Sequence, residues 1–95
     1  MPRPIRPRRL RFNPDVYYFK PRGIPMRMLE EVVLQSDELE ALKLYDVDGF
    51  DQTQAADKMN ISQPTFARIL DRANKKVAQA IIKGKAIRIE KRNEE

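Results

Sequence analysis

The sequence predicts a mainly α fold: a tri-helical domain with a small β element from N- and C-terminal strands. Three observations lead to it. Residues 51–70 (DQTQAADKMNISQPTFARIL) read as two helices joined by a tight turn. Residues 36–50 (SDELEALKLYDVDGF) read as a helix preceding that pair. Val16–Phe19 and residues 85–90 (KAIRIE) are rich in β-branched or aromatic residues, or alternate with period two. The expected organisation is a basic arm over 1–12, one domain over 13–90, and a tail over 91–95.

The helix pair is justified first. Asp51 is a good N-cap, and Gln54 three residues on completes a capping-box pattern. Asn60 tolerates the left-handed backbone that a tight inter-helix turn needs. Ser62 caps the second helix, and Pro64 is tolerated in its first turn, where N–H groups have no intrahelical partner. Ala56, Met59, Ile61, Phe66 and Ile69 have the offsets of two helices crossing steeply around one small core. Ala55 and Ala56 allow close approach. The reading is a helix-turn-helix, the unit that lays its second helix in the major groove of DNA. An ordinary helical hairpin is the plainer alternative.

The preceding helix begins at Ser36 and Asp37, with Asp37 and Glu38 at the positive end of its dipole. Leu39, Leu42, Leu44 and Val47 lie on or near one face, and Gly49 is the expected terminator. Upstream, Met26–Leu34 fits either a helical face or a short strand and is expected to be a connecting element packed on the helix pair. Gly84 ends the long second helix. The KAIRIE strand then has one evident partner, Val16–Phe19, within the chain or in a second copy.

The 95 residues suit one domain with a small core, for which association would help bury surface. There is no cysteine and no histidine, which excludes disulfides, zinc–thiolate sites and the commonest general base. Both serines, Ser36 and Ser62, are placed as helix caps, so no catalytic constellation assembles and no enzyme is expected. No cofactor is expected. No apolar run approaches a membrane span, and the basic N-terminus lacks the apolar core of a secretory signal. The expected setting is the cytoplasm.

The net charge of +5 is sharply partitioned. Residues 1–27 carry eight Lys/Arg and one acid, residues 28–60 two and nine, and residues 61–95 nine and four. A polyanion would meet the arm and the second helix, while the middle faces away or neutralises its neighbours. Pairing within the fold is the competing expectation, particularly for Glu38, Glu40 and the third segment. In the arm, Arg3, Arg6, Arg8, Arg9 and Arg11 stand among Pro2, Pro4 and Pro7 with no nearby acid. Extended basic backbone suits phosphate contact or a narrow minor groove.

On a helical wheel, Phe66, Ile69, Leu70, Ala73 and Val77 form the buried stripe of the second helix. The opposite side presents Arg68, Arg72 and Lys75. The base-reading candidates are Gln63 for adenine, Arg68 for guanine, and Thr65 and Ala67 for thymine methyl groups. Gln52 and Thr53 at the start of the first helix, with Ser62, Arg72, Lys75 and Lys76, are the phosphate candidates. Asp71 would pair with a helical neighbour.

Several stretches together resemble uncharacterised protein family 0251, also called domain of unknown function 134. They are YFKP with Gly23 and Pro25 after it, LEEVVL, DELEALKL, QAADKMNISQPTFARIL and GKAIRIE. The resemblance runs from about Phe12 to Glu90. It implies a helix-turn-helix of the kind found in region 4 of sigma factors, and a DNA-binding role. Many relatives have Gly at the position of Asn60, Arg at Gln63 and Gly at Ala67, so a base preference does not carry over. Some have cysteines in the arm or a domain similar to iron–molybdenum-cofactor proteins; this chain has neither.

The expected function is therefore sequence-preferring binding of double-stranded DNA by a transcriptional regulator, expected to read a repeated or palindromic site as a homodimer. One alternative is a protein-interaction module docking on the transcription machinery, RNA polymerase included, through the acidic 37–51 stretch. Another is single-stranded RNA binding through the arm with Tyr17, Tyr18 and Phe19.

Overall fold

A computed structural model describes residues 16–90. Strand β1 (Val16–Phe19) is followed by a 3-10 turn at Met26–Met28 and strand β2 (Glu31–Leu34). Helix α1 (Ser36–Leu42) runs on into a wide π turn, Lys43–Val47. Helices α2 (Gln52–Met59) and α3 (Gln63–Lys83) and strand β3 (Ala86–Glu90) complete the chain. The architecture is a three-helix unit joined to a three-stranded sheet of order β1-β3-β2, with α1 and α3 packed on the sheet and α2 packed on α3.

Local chemistry sets the helix ends. The Asp51 carboxylate accepts from the Gln54 N–H at 2.8 Å, and the Gln54 side-chain oxygen accepts from the Asp51 N–H at 3.0 Å. This reciprocal pair satisfies two donors that lack intrahelical partners. Asn60 ends α2 at φ 62°, and Ile61 N–H closes the turn on Ala56 C=O at 3.0 Å. The Ser62 hydroxyl accepts from the Thr65 N–H at 3.3 Å and opens α3. Gly84, at φ 68°, closes it.

Two apolar clusters share α3. Phe66, Ile69 and Leu70 pack with Ala41, Leu44, Ala55 and Ala56, with Met59 and Ile61 at the margin. One to two turns further on, Ala73 packs with Leu34 and Ile89, and Val77 and Ile87 lie against them. Leu42 touches both clusters, so helix–helix and helix–sheet packing form one continuous interior.

Three expectations need correction. The β element has a third strand: β2 pairs parallel to β3, with Val32 beside Ile87 and Leu34 beside Ile89. Val32 and Leu34 are buried, while Glu31 is exposed and Val33 half-buried. That alternation lies under α3, which an isolated run of three apolar residues does not reveal. Parallel strands need a long crossover, and here all three helices form it. The second correction concerns β3, which is central and has two partners; its pairing with β1 is antiparallel and within the chain. Third, α1 does not run straight to Gly49. In the π turn Asp48 N–H reaches back to Lys43 C=O at 2.8 Å, which changes the angular phase. Leu44 is buried as a result, and Val47 is 78% exposed, off the face assigned to it.

One buried charge ties the layers. Glu38, on the first turn of α1, is wholly inaccessible. Its Oε1 accepts from Gln35 N–H at 2.9 Å and from Lys76 Nζ at 2.9 Å. Its Oε2 accepts from Arg72 Nε at 2.7 Å. Lys76 Nζ also donates to Val33 C=O at 2.8 Å, so one ammonium joins α3, α1 and β2. Burial works to raise the Glu38 carboxyl, but hydrogen bonds from Lys76, Gln35 N–H and Arg72 outweigh it and hold the group below its ordinary 4.5.

Two outcomes follow for stability. A depressed pKa contributes stability in full above pH 4.5 and loses it as pH falls through the lower folded-state value. In urea denaturation at pH 7, Glu38→Gln should cost about 2 kcal/mol, and the gap to wild type should narrow below pH 4.5. At the turn, Asn60→Gly should leave the thermal midpoint near that of wild type, whereas Asn60→Val should lower stability by roughly 1–2 kcal/mol.

Candidate nucleic-acid interface

Helix α3 spans 21 residues, about 31 Å. Its two halves face different surroundings. The C-terminal half lies on the sheet, and the first turns project beside the start of α2. Packing fixes the helix about its own axis: Phe66 and Ala73 are fully inaccessible, and Ile69 and Leu70 nearly so. On the other side Gln63, Pro64 and Arg68 are exposed, and Thr65 and Ala67 are half-buried. The four base-reading candidates therefore share one accessible end of α3.

Short hydrogen bonds organise that end. The Thr65 hydroxyl oxygen accepts from the Ser62 hydroxyl at 2.9 Å and from Arg68 Nη2 at 3.4 Å. The Thr53 hydroxyl donates to Gln63 Oε1 at 3.2 Å, linking the starts of α2 and α3. Gln63 keeps its amide N–H donors and one oxygen lone pair for another partner. Among the described residues Arg68 has no ion pair with a carboxylate.

The phosphate candidates divide. Gln52 is half-buried, and Thr53 and Ser62 are exposed, at the N-termini of α2 and α3. Lys75 stands in solvent and pairs with Asp71 at 3.3 Å, the helical-neighbour arrangement expected for that acid. Arg72 is half-exposed, with Nε on Glu38 and Nη2 3.5 Å from Asp37. The Glu38 hydrogen bond raises the Arg72 pKa further, so its charge is fixed. Lys76 is placed otherwise than expected: its side chain is 28% exposed and its ammonium is turned inward to Glu38 and Val33. The intramolecular pairing anticipated for Glu38 is thus made by these two cations. Arg3, Arg6, Arg8, Arg9 and Arg11 lie outside the described residues.

Sequence reasoning missed the Thr53–Gln63 contact and the inward turn of Lys76. The first lay in the capping geometry of two adjacent helix starts. The second had no local signal, because Lys76 and Glu38 are 38 positions apart. Among the described residues there is no group of three or more acidic or metal-ligating side chains able to hold a metal ion, and no helix long and apolar enough to cross a membrane.

Comparison with known proteins gives consistent matches. A UPF0251 protein of Caldanaerobacter subterraneus subsp. tengcongensis is 53% identical over 90 residues, covering 95% of this chain and 76% of its own. One from Thermoanaerobacter sp. is 52% identical, covering 95% and 80%. One from Dehalococcoides mccartyi is 54% identical, covering 95% and 77%. No solved structure matches the chain. The model of the family described as "Protein of unknown function DUF134" matches residues 1–94, and the chain belongs to that family, whose members carry the name UPF0251.

Proposed function

We propose that this protein binds double-stranded DNA with sequence preference through α2 and α3 and acts as a transcriptional regulator in the cytoplasm. One observation carries the reading: Phe66, Ile69, Leu70 and Ala73 are buried while Gln63 and Arg68 remain exposed at the same end of the same helix. A hairpin serving only the core has no need there of an exposed arginine that, among the described residues, has no carboxylate partner.

In this reading the first turns of α3 enter the major groove. The Arg68 guanidinium matches the O6 and N7 acceptors of guanine, and the Gln63 amide matches adenine. The methyl groups of Thr65 and Ala67 meet thymine. Gln52, Thr53 and Ser62 meet phosphates at the two helix starts, where free N–H groups and the dipole favour an anion. Lys75 and the exposed edge of Arg72 meet phosphates further along. Lys76 has no part in this surface. The arm arginines add affinity through counterion release. The protein is a binder rather than an enzyme.

Electrophoretic mobility shift on a selected duplex tests the proposal. Six or more phosphate contacts should give a log K against log salt slope of about −5 or steeper. Arg68→Ala should lose about 1–3 kcal/mol of discrimination at one base pair. Lys75→Ala should weaken all duplexes alike and reduce the slope by about 1. Selection from a random duplex pool that yields no enriched sequence would overturn sequence preference; absence of binding at low salt would overturn DNA binding.

A further inference from the structure

Strand β1 is an outer strand of the sheet, and it differs from the other outer strand in how its edge is treated. On β2 the first residue is Glu31, and the Val33 C=O is taken by Lys76. Strand β1 reads VYYF, with no charge and no proline inside it. Tyr17, Tyr18 and Phe19 are 37%, 42% and 60% exposed. Among the described residues β1 has β3 as its one ladder partner, and natural sheets usually blunt an apolar edge of this kind with charges, bulges or a cover.

The surroundings of that edge are largely apolar as well. Phe19, Pro21, Ala80, Ile81 and Ile87, together with Lys20 and Lys85, line an open groove of about 420 Å³ between β1 and the last turns of α3. Ile81 and Ile82 are 69% and 81% exposed. The patch lies at the opposite end of α3 from Gln63 and Arg68, so it is separate from the proposed DNA surface.

We propose that this edge pairs with the same edge of a second copy of the chain. Two features select a second copy over an unrelated strand. First, a two-fold axis normal to the sheet sets β1 antiparallel to β1, and its register must pair residues of like face. Centred on Tyr18 against Tyr18, that register places Tyr17 opposite Phe19 on both sides of the axis. Each described aromatic of β1 then meets an aromatic, the pairing that stabilises sheets most. Second, Tyr17 and Phe19 share the helix-side face with Ile87 and Ile89, so the aromatic pairs extend toward both grooves. The product is a continuous six-stranded sheet. The proposal does not rest on the DNA reading.

The experiment uses the full chain, which has no cysteine of its own. Light scattering after gel filtration at micromolar concentration should give twice the 11.2 kDa chain mass. In the proposed register the Tyr18 Cα atoms lie about 4.5–5.5 Å apart, inside the range a disulfide spans. Tyr18→Cys should therefore cross-link nearly quantitatively under mild oxidation, and Met28→Cys, exposed but off the axis, should not. Phe19→Glu should be monomeric with an unchanged far-ultraviolet circular dichroism spectrum, which separates loss of pairing from loss of fold. A monomeric wild type, or a dimer in which Tyr18→Cys cross-links no faster than Met28→Cys, would overturn the proposal. So would a Phe19→Glu variant that folds and remains dimeric.

Discussion

A single carboxylate buried between two helices sets the geometry of this molecule. A charge without access to solvent is tolerated only when its hydrogen-bonding capacity is filled. Glu38 meets that condition with donors from three directions: its own helix start, Arg72 and Lys76. The two cations sit one turn apart on α3, so their simultaneous engagement fixes that helix both along and about its axis relative to α1. Lys76 extends the constraint to the sheet through the Val33 carbonyl. Apolar packing at Phe66, Ile69 and Ala73 holds the helix in place, but much of that interface is alanine and offers little shape to choose one register. Directional bonds to Glu38 supply the choice.

The consequence for the candidate site is positional. With Arg72 Nε and the Lys76 ammonium turned toward Glu38, the cations near the start of α3 that make no bond to Glu38 are Arg68 and Lys75. The Thr53–Gln63 hydrogen bond then aligns the beginnings of α2 and α3. Recognition on a rigid helix needs side chains held to a fraction of an ångström, and the supporting contacts lie just behind the exposed ones. One helix thus divides its length between an accessible N-terminal end and a C-terminal half that belongs to the sheet.

What was legible in the sequence was local. Asp51 with Gln54, Asn60, Ser62 and Gly84 announce the helix ends, because capping depends on residues within three or four positions of one another. The stripe from Phe66 to Ala73 follows from helical periodicity. The charge partition showed that acid and base had to meet, but not which groups would do so: Glu38 and Arg72 are 34 positions apart. The same distance problem hid β2, whose parallel alignment with β3 exists only once the helices have brought the strands together. The shift of phase in the π turn, which buries Leu44 and exposes Val47, also escaped, since a uniform helical wheel cannot represent a change of pitch.

Glu38 orients α3, and in the proposed function the first turns of that helix face the duplex. Amide chemical shifts of the labelled protein, followed during titration with a selected duplex, test this most directly. Large shifts are expected at residues 52–53, 62–68 and 75, with the Lys76 ammonium still bound to Glu38 and residues 77–83 unmoved. Shifts concentrated in the sheet or the C-terminal half of α3, or release of Lys76 from Glu38 on binding, would contradict it.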